Sequence, residues 1–244
     1  MIHFQFIHGL LKTGVHNACY LLRLWYSEGL HIIERSKIIM VIQDKRKRPK
    51  NYIDQAIDIL YRSKMRNSFD VDVVEVGSMR GELLHHVDII DYPCCNDGHS
   101  TFIFARTGWK VKTIDIEKSN IDVAKKACER FSNVEYYVAD ALEIINSIID
   151  GNTKVGLLFL DAWDVGLPGC AENHLKLYNL IKDNLNEDCM ILIDDTDIYY
   201  DHELQEFFTD KSGVSGKGKL IIPELENKGY RIVFNGRQTL MGKL

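Results

Sequence analysis

The sequence predicts an α/β fold in which a doubly wound, seven-stranded sheet is mostly parallel and has an antiparallel last strand. From residue 71 onward, short apolar runs alternate with helical patterns, which is typical of βαβ units. Two of these runs, 155–160 and 190–193, end directly at acids. The last two runs flank Asn235 and Gly236, a pair typical of hairpin turns, so the final strand is predicted to be antiparallel.

The first 50 residues are predicted to form a helical extension and a basic linker. Apolar residues at helical spacing in 1–44 indicate one or two amphipathic helices. We expect these to pack on the main domain or on a second copy of the chain as a homodimer; contact with a membrane surface is the alternative. The run from Lys45 to Lys50 has five basic residues in six positions, which is typical of a solvated linker but also attracts anionic partners. A domain boundary is therefore placed here, with a single domain over 51–244.

The elements of that domain are predicted in order from their apolar periodicity. Ile53, Ile57 and Leu60 recur at helical spacing and predict an opening helix over 51–65. Strands rich in β-branched and aliphatic residues follow at 71–76, 110–116, 134–138, 155–160 and 190–193. Helical patterns follow these strands at 96–108, 120–131, 141–149, 171–185 and 219–228. The chain is predicted to close with a hairpin of strands 230–234 and 238–241.

The composition of the chain argues against some classes of function and predicts a cellular location. The chain has 244 residues, of which 45% are hydrophobic and 27% charged, as in an ordinary globular protein. Its net charge of −5 argues against a general nucleic-acid binder, which usually carries a basic face. The six cysteines lack metal-knuckle spacing, and the apolar start lacks a basic n-region and a cleavage site. We therefore expect reduced thiols, no signal peptide and a cytoplasmic location.

Acids and a glycine at the ends of the first three strands suggest a nucleoside site. Strand one ends at Glu75 and Gly77, where glycine lets the backbone turn sharply and a ligand approach closely. Asp115 follows strand two, where a carboxylate accepts hydrogen bonds from ribose hydroxyls, although a helix cap or a surface acid is the alternative. Asp140 follows strand three, at the level of an adenine ring, and is equally suited to cap the next helix.

A long insertion at 79–95 interrupts what is normally a tight glycine-rich turn after strand one. The turn resumes at residues 96–101, so the insertion is expected to loop out beside the cofactor. His85 and His86 either line the substrate pocket or are solvated or packing residues.

Three acids are predicted to converge beside this site. Asp161 follows one strand, and Asp194 and Asp195 follow the next, so all three reach the carboxyl edge where ligands bind in open α/β sheets. Such acids repel one another unless a cation lies between them, and a hard divalent metal prefers oxygen ligands. The alternative is that they cap helices. The metal hypothesis fails if the acids lie apart or are neutralised by lysine or arginine.

The segments EVGS, TIDIE, VADA, LDAW and LIDDTD, in that order over residues 71–244, resemble class I S-adenosylmethionine-dependent methyltransferases, which are Rossmann-like. The resemblance implies that Glu75 and Gly77 neighbour the methionine part of the cofactor and that Asp115 binds its ribose. Asp140 and Ala141 would then neighbour the adenine. The cofactor contacts that it implies also include Ser78, Gly98, Ser100 and Asp161.

Within that superfamily the acids resemble those of metal-dependent O-methyltransferases of the catechol and antibiotic-sugar types. This resemblance implies that Asp161, Asp194 and Asp195 hold Mg²⁺ or another divalent cation. The catechol enzymes place a catalytic lysine three residues after the first ligand, where this chain has Asp164. An aspartate near this position serves as the base in the sugar enzymes, so Asp161 and Asp164 are the predicted catalytic residues.

The sequence thus predicts Mg²⁺-assisted transfer of a methyl group from S-adenosylmethionine to a hydroxyl of a small acceptor, with a sugar or glycan as first choice. The alternatives are a metal-independent methyltransferase acting on a catechol-like or nitrogen acceptor, and a non-catalytic binding module. No nucleic-acid partner is expected, and an NAD-type oxidoreductase is disfavoured because no hydride-transfer constellation is evident.

Several other residues have two interpretations each. Trp163 walls the methyl pocket or belongs to the core, and His174 is expected to be a packing or surface residue. Tyr199 and Tyr200 stack on an acceptor ring or cover the sheet edge. The glycine-rich segment 210–218 is interpreted as a mobile lid or a plain loop. Arg237 and Gln238 reach the substrate or serve the final turn.

Overall fold

The computed structural model describes residues 52–67, 71–80, 99–151 and 153–243. The helical extension and basic linker predicted over 1–50 therefore lie outside the described residues. So do Gly98, His85, His86 and most of the predicted insertion.

The described residues form helices and strands close to those predicted. The helices are α1 (Ile53–Asn67), α2 (Ser100–Ala105), α3 (Lys118–Ala127), α4 (Ala141–Ile148), α5 (Cys170–Ile181) and α6 (Ile221–Asn227). The strands are β1 (Asp72–Val76), β2 (Lys110–Asp115), β3 (Val134–Val138), β4 (Val155–Leu160), β5 (Leu185–Ile193), β6 (Ile198–Asp201), β7 (Glu206–Thr209), β8 (Arg231–Phe234) and β9 (Thr239–Gly242). Two 3₁₀ turns are Lys182–Asn184 and Gly216–Gly218.

Seven of the strands form a single sheet in the order β3-β2-β1-β4-β5-β9-β8. The first five run parallel, whereas β9 pairs antiparallel with both β5 and β8. The predicted doubly wound sheet with an antiparallel last strand is confirmed. The order reverses between β1 and β4, and this switch point is where open α/β sheets bind ligands.

The central strands are apolar because both faces of the sheet are covered. Every residue of β4 is buried. Successive side chains of a strand point to opposite faces, so Leu158 and Leu160 belong to one core cluster and Leu157 and Phe159 to the other. The first cluster includes residues of α4, α5 and α6, and the second residues of α1 and α2. The sheet edge that carries the acids is thereby held on a rigid support.

Two departures from the predicted elements affect the site. The hairpin of β6 and β7 was not predicted, because its turn contains neither glycine nor proline; Gln205 adopts the positive φ instead. Segment 210–218 is not a free lid, since Ser215 and Lys217 are buried and the Ser215 N–H donates to Thr196 O at 3.0 Å.

Two further features concern the helices and the cysteines of the described part of the chain. None of its helices combines the length and apolarity that crossing a bilayer requires. Cys128, Cys170 and Cys189 are buried free thiols.

Candidate active site

Glu75, near the end of β1, has a fully buried carboxyl group. Thr101 Oγ1 donates a hydrogen bond of 2.6 Å to Glu75 Oε2, whereas Oε1 has no hydrogen-bond partner among the described residues. Burial raises the pKa of Glu75 to about 7, and hydrogen bonding offsets only part of that rise. A buried carboxyl with an unpartnered oxygen next to the switch point is suited to receive a donor from a ligand.

Gly77 forms the turn after β1 and packs against the end of β4. Its φ of +91° lies in the left-handed region that favours glycine, as the predicted sharp turn requires. A Cβ at this position would lie 2.6 Å from both the backbone carbon and the backbone oxygen of Asp161. The close approach that glycine permits here is therefore to the backbone of Asp161, at the switch point of the sheet.

Asp115 ends β2 with a carboxylate held by three donors. Its Oδ2 accepts from the Ser78 N–H at 2.9 Å and from Asn120 Nδ2 at 3.1 Å, and its Oδ1 accepts from the Glu117 N–H at 2.8 Å. A carboxylate can accept about four hydrogen bonds, so capacity remains for a ribose hydroxyl. Glu75, Gly77 and Asp115 thus fit an adenosine-containing cofactor at the carboxyl edge.

Asp140, Ala141 and Ser100, which were also predicted to contact the cofactor, lie at the starts of two helices. Asp140 caps α4, because its Oδ1 accepts from the Leu142 N–H at 2.9 Å. Ala141 and Ser100 are buried at the starts of α4 and α2, and their cofactor contacts stay predictions. The alternative role of Asp140 as a helix cap is confirmed.

The three predicted acids do converge at the ends of β4 and β5. The Asp161 N–H donates to Val76 O at 2.7 Å and the Asp194 N–H to Leu160 O at 3.0 Å, so adjacent strands end in step. One carboxylate oxygen from each of Asp161, Asp194 and Asp195 lies within 4.8 Å of the others. The grouping predicted from the sequence is confirmed.

A lysine that the sequence did not point to lies among these acids. Lys217 Nζ is 2.6 Å from Asp161 Oδ1, 3.2 Å from Asp161 O and 3.1 Å from Asp195 Oδ2, and its side chain is fully buried. Burial by itself lowers the pKa of Lys217, but the carboxylates of Asp161 and Asp195 outweigh it and hold the pKa above its ordinary value. The acid cluster therefore contains a permanent positive charge of its own.

Arg237 adds a second positive charge at the outer side of the cluster. Its Nη2 lies 2.6 Å from Asp195 Oδ1 as an ion pair, and its side chain is 44% exposed. The neighbouring Gln238 points elsewhere, since its Oε1 accepts from the Tyr52 N–H. Of the two residues predicted to reach the substrate, Arg237 lies at the acid cluster, whereas Gln238 makes a structural hydrogen bond elsewhere.

Asp194, like Asp161 and Asp195, is partly buried. Burial raises its pKa well above the ordinary range, and the negative charges of Asp161 and Asp195 raise it further. Asp195 adopts a φ of +48°, a left-handed conformation that costs a residue with a side chain roughly 1–2 kcal/mol. Strain of this kind persists mainly at functional sites.

The three carboxylates can be compared with the ligands that the predicted magnesium ion requires. Three carboxylates at this spacing suit a hard divalent ion by their chemistry. However, Lys217 Nζ already contacts carboxylate oxygens of Asp161 and Asp195, two of the three acids. An ion held by these acids would lie close to the ammonium and be repelled by it, and neutralisation by lysine and arginine is the outcome that weighs against the metal hypothesis. Magnesium stays a prediction that the spacing of the acids supports and that their ion pairs with Lys217 and Arg237 oppose.

Asp164, the predicted base, is exposed beside the cluster and paired with an arginine. Arg80 Nη2 lies 3.0 Å from Asp164 Oδ1, with both side chains about half exposed. An open cavity of about 300 Å³ lies over the acids. Its lining includes Arg80, Asp161, Asp164, Ile198, Phe207 and Arg237. The predicted base and the acid cluster therefore face one space.

The unpredicted hairpin places aromatic rings at this cavity. Phe207 lines it and is 60% exposed. Tyr199 stacks on Phe208, with ring centroids 5.6 Å apart, and lines an adjoining cavity of about 320 Å³ together with Tyr200. Both cavities include Val165 in their linings. Tyr199 and Tyr200 therefore face an open space beside the acids, and both interpretations of them stay predictions.

Trp163 and His174 pack on each other beneath the site. Their rings meet edge to face at 5.1 Å, and His174 is fully buried with its Nδ1 2.7 Å from Cys170 O. Burial lowers the pKa of His174 to about 4. The interpretation of His174 as a packing residue is confirmed, and Trp163 is half-buried against the core.

Comparison with known proteins finds similar structures but no similar sequences. No protein-family model matches the chain, and neither does any curated protein sequence. A methyltransferase from Geobacter sulfurreducens has 13% sequence identity and a TM-score of 0.45, over 91% of this chain and 94% of that one. The SAH-bound magnesium protoporphyrin IX methyltransferase ChlM from Synechocystis PCC 6803 has 10% identity and a TM-score of 0.46, over 79% and 83%.

The bifunctional kinase-methyltransferase WbdD is also similar, with 15% identity and a TM-score of 0.48. This likeness covers 80% of the present chain but only 40% of WbdD. The strand order of the sheet itself establishes the fold class. The resemblance to class I methyltransferases drawn from the sequence agrees with this fold, and the activity that it implies stays a prediction.

Proposed function

We propose that the chain transfers a methyl group from S-adenosylmethionine to a hydroxyl of a small acceptor. The observation that carries the proposal is the placement of Gly77 and Asp115 beside the switch point, at the ends of β1 and β2. Asp115 presents a fixed carboxylate, and Gly77 packs on the backbone of Asp161, where the acceptor side of the edge begins. The cofactor, when bound, supplies a methyl group on a sulfonium, which an acceptor oxygen attacks.

The acceptor side must orient a hydroxyl and take up its proton. Positioning supplies much of the rate in such a transfer, because the attacking oxygen has to lie in line with the methyl group. Asp161 faces both the turn at Gly77 and the cavity, so it is suited to orient the hydroxyl. Asp164 is the proposed base, and it becomes a free acceptor once its ion pair with Arg80 opens.

A sugar or glycan is the acceptor we favour. The open cavity has the size of a small ring, and its polar lining of carboxylates and arginines can hydrogen-bond several hydroxyls. Phe207 offers an exposed aromatic face at the same cavity, and such faces stack on rings. The adjoining cavity at Tyr199 and Tyr200 supports an acceptor that extends beyond a single ring.

The role of a divalent ion is the finer part of this proposal. The sequence-based hypothesis gives Mg²⁺ to Asp161, Asp194 and Asp195, and their spacing supports it. The contacts of Lys217 favour the alternative, a methyltransferase that needs no metal. A cytoplasmic location and the absence of a nucleic-acid partner stay predictions from composition.

Calorimetric titration with S-adenosylhomocysteine tests the proposal. Asp115→Asn keeps an oxygen that can accept from Ser78 but removes the charge, so we expect about 10- to 100-fold weaker binding than in the wild type. The exposed helix residue Asp122 provides the control, since Asp122→Asn should leave the affinity unchanged. No binding by the wild type at millimolar ligand would refute the proposal.

A further inference from the structure

Lys217 is fixed in place by the packing of its own segment. It lies in the 3₁₀ turn Gly216–Gly218, and the preceding Ser215 bonds to Thr196 through both its N–H and its hydroxyl. A Cβ on Gly216 would lie 2.2 Å from Asp195 O, so the turn is pressed against the backbone of the acid cluster. Only glycine allows this approach, which delivers the Lys217 ammonium inward.

The ammonium joins the two halves of the site. It donates to Asp161 O, the atom against which Gly77 packs, and to Asp161 Oδ1. It also lies 3.1 Å from Asp195 Oδ2, just after the neighbouring strand β5. A single buried cation therefore joins the residue after β4 to the turn after β5.

Lys217 lies among the acids that would hold a divalent ion. Its ammonium is 2.6 Å from a carboxylate oxygen of Asp161 and 3.1 Å from one of Asp195, two of the three acids in the cluster. A magnesium ion binds oxygen ligands at about 2.0–2.1 Å and a calcium ion at about 2.3–2.6 Å, so an ion held by these acids would lie close to the ammonium. Two cations so close repel each other strongly, so the lysine and the metal compete for the same acids.

We propose that Lys217 is the resident cation of the acid cluster and a positioning residue of the site, and that it takes the place in which a divalent metal was expected. It holds Asp161 and Asp195 together without an ion, so the chain neither binds nor needs a divalent metal there. The role in methyl transfer rests on the proposed function, whereas the occupancy of the position does not.

Thermal unfolding of the full chain with MnCl₂ or MgCl₂, compared with EDTA, tests the occupancy. The wild type is expected to show no ion-dependent change of Tm. Lys217→Met is expected to unfold at a lower temperature and to regain part of the loss with Mn²⁺, because three acids then lack their cation. Its Mn²⁺ affinity should exceed that of the wild type by about tenfold or more. Lys219→Met, an exposed lysine two residues away, is the matched control and should behave like the wild type.

Two outcomes overturn the proposal. One is saturable Mn²⁺ binding by the wild type that Asp194→Asn abolishes. The other is a folded Lys217→Met variant that gains no Mn²⁺ binding. If Lys217→Met does not fold, Lys217→Gln takes its place in the comparison. The Mn²⁺ titration of the wild type tests the proposal in either case.

Binding of S-adenosylhomocysteine, measured on the same wild-type samples, separates the two proposals. If the wild type does not bind S-adenosylhomocysteine, the proposed function is refuted, whereas the assignment of Lys217 as the resident cation is unaffected. If the wild type binds S-adenosylhomocysteine normally but requires a divalent ion, the cation assignment fails and the proposed function stands.

Discussion

The two halves of the candidate site are built differently. The cofactor half, with Glu75, Gly77 and Asp115, consists of residues at the ends of adjacent strands and of donors in the turns beside them. The acceptor half depends on contacts between distant segments, since Lys217 meets an aspartate 56 positions earlier in the chain. Contacts between the ends of adjacent strands thus prepare the nucleoside side, whereas a loop from farther along the chain brings a charge to the acceptor side.

The junction of the halves at Gly77 gives the largest expected effect. Gly77→Ala combines an unfavourable φ with a Cβ only 2.6 Å from the backbone of Asp161, so we expect a loss of about 3 kcal/mol in the free energy of unfolding, or failure to fold. Gly229 has a similar φ of +88° and open space around it, so Gly229→Ala should cost only about 1–2 kcal/mol. Urea unfolding measures both, and equal losses would mean that the close approach is unimportant.

The buried carboxyl of Glu75, in the cofactor half, should make the free energy of unfolding depend on pH. Folding raises the pKa of Glu75 from 4.5 to about 7, so the folded chain keeps a proton that the unfolded chain releases in this range. The stability contributed by that proton is fully present below pH 4.5 and is lost as the pH rises through 7. Glu75→Gln removes the dependence, so its stability relative to the wild type should increase by about 2–3 kcal/mol between pH 4.5 and pH 8.

Urea unfolding of the wild type and the variant at both pH values measures this difference. The exposed Glu129 supplies the control, because Glu129→Gln should show the same relative stability at both. A constant difference for Glu75→Gln would show that this carboxyl is not neutral in the folded chain at pH 7.

The aromatic hairpin of the acceptor half gives the smallest effect. Phe207→Ala should raise KM for a sugar that is methylated by about fivefold, with little change in kcat, because stacking on an exposed ring contributes about 1 kcal/mol. Leu204 lies in the same hairpin and is 62% exposed, so Leu204→Ala should leave KM unchanged. A drop in kcat without a change in KM would place Phe207 outside acceptor binding.

The contrast between the halves also explains what the sequence could predict. An apolar run that stops at an acid identifies both the strand and its edge, so the meeting of Asp161, Asp194 and Asp195 followed from strand ends alone. Asp140 was correctly given a cap as one of its roles, because capping depends on the next two residues.

Lys217 could not be placed in the same way. Its segment is rich in glycine and was interpreted as a lid, and nothing local indicates that glycines flank it so that the turn can press on Asp195. The only signal was Gly-Lys-Gly itself, and nothing in the sequence distinguishes Lys217 from Lys219, two residues on. The β6–β7 hairpin was missed because Gln205 occupies a turn conformation that usually carries glycine or asparagine.

Crystals soaked with S-adenosylhomocysteine and MnCl₂ give the most direct test of the whole account. We expect the ribose hydroxyls on the Asp115 carboxylate and Lys217 Nζ, not manganese, between Asp161 and Asp195. A nucleoside bound away from Asp115, or manganese at the acids with Lys217 displaced, would contradict it.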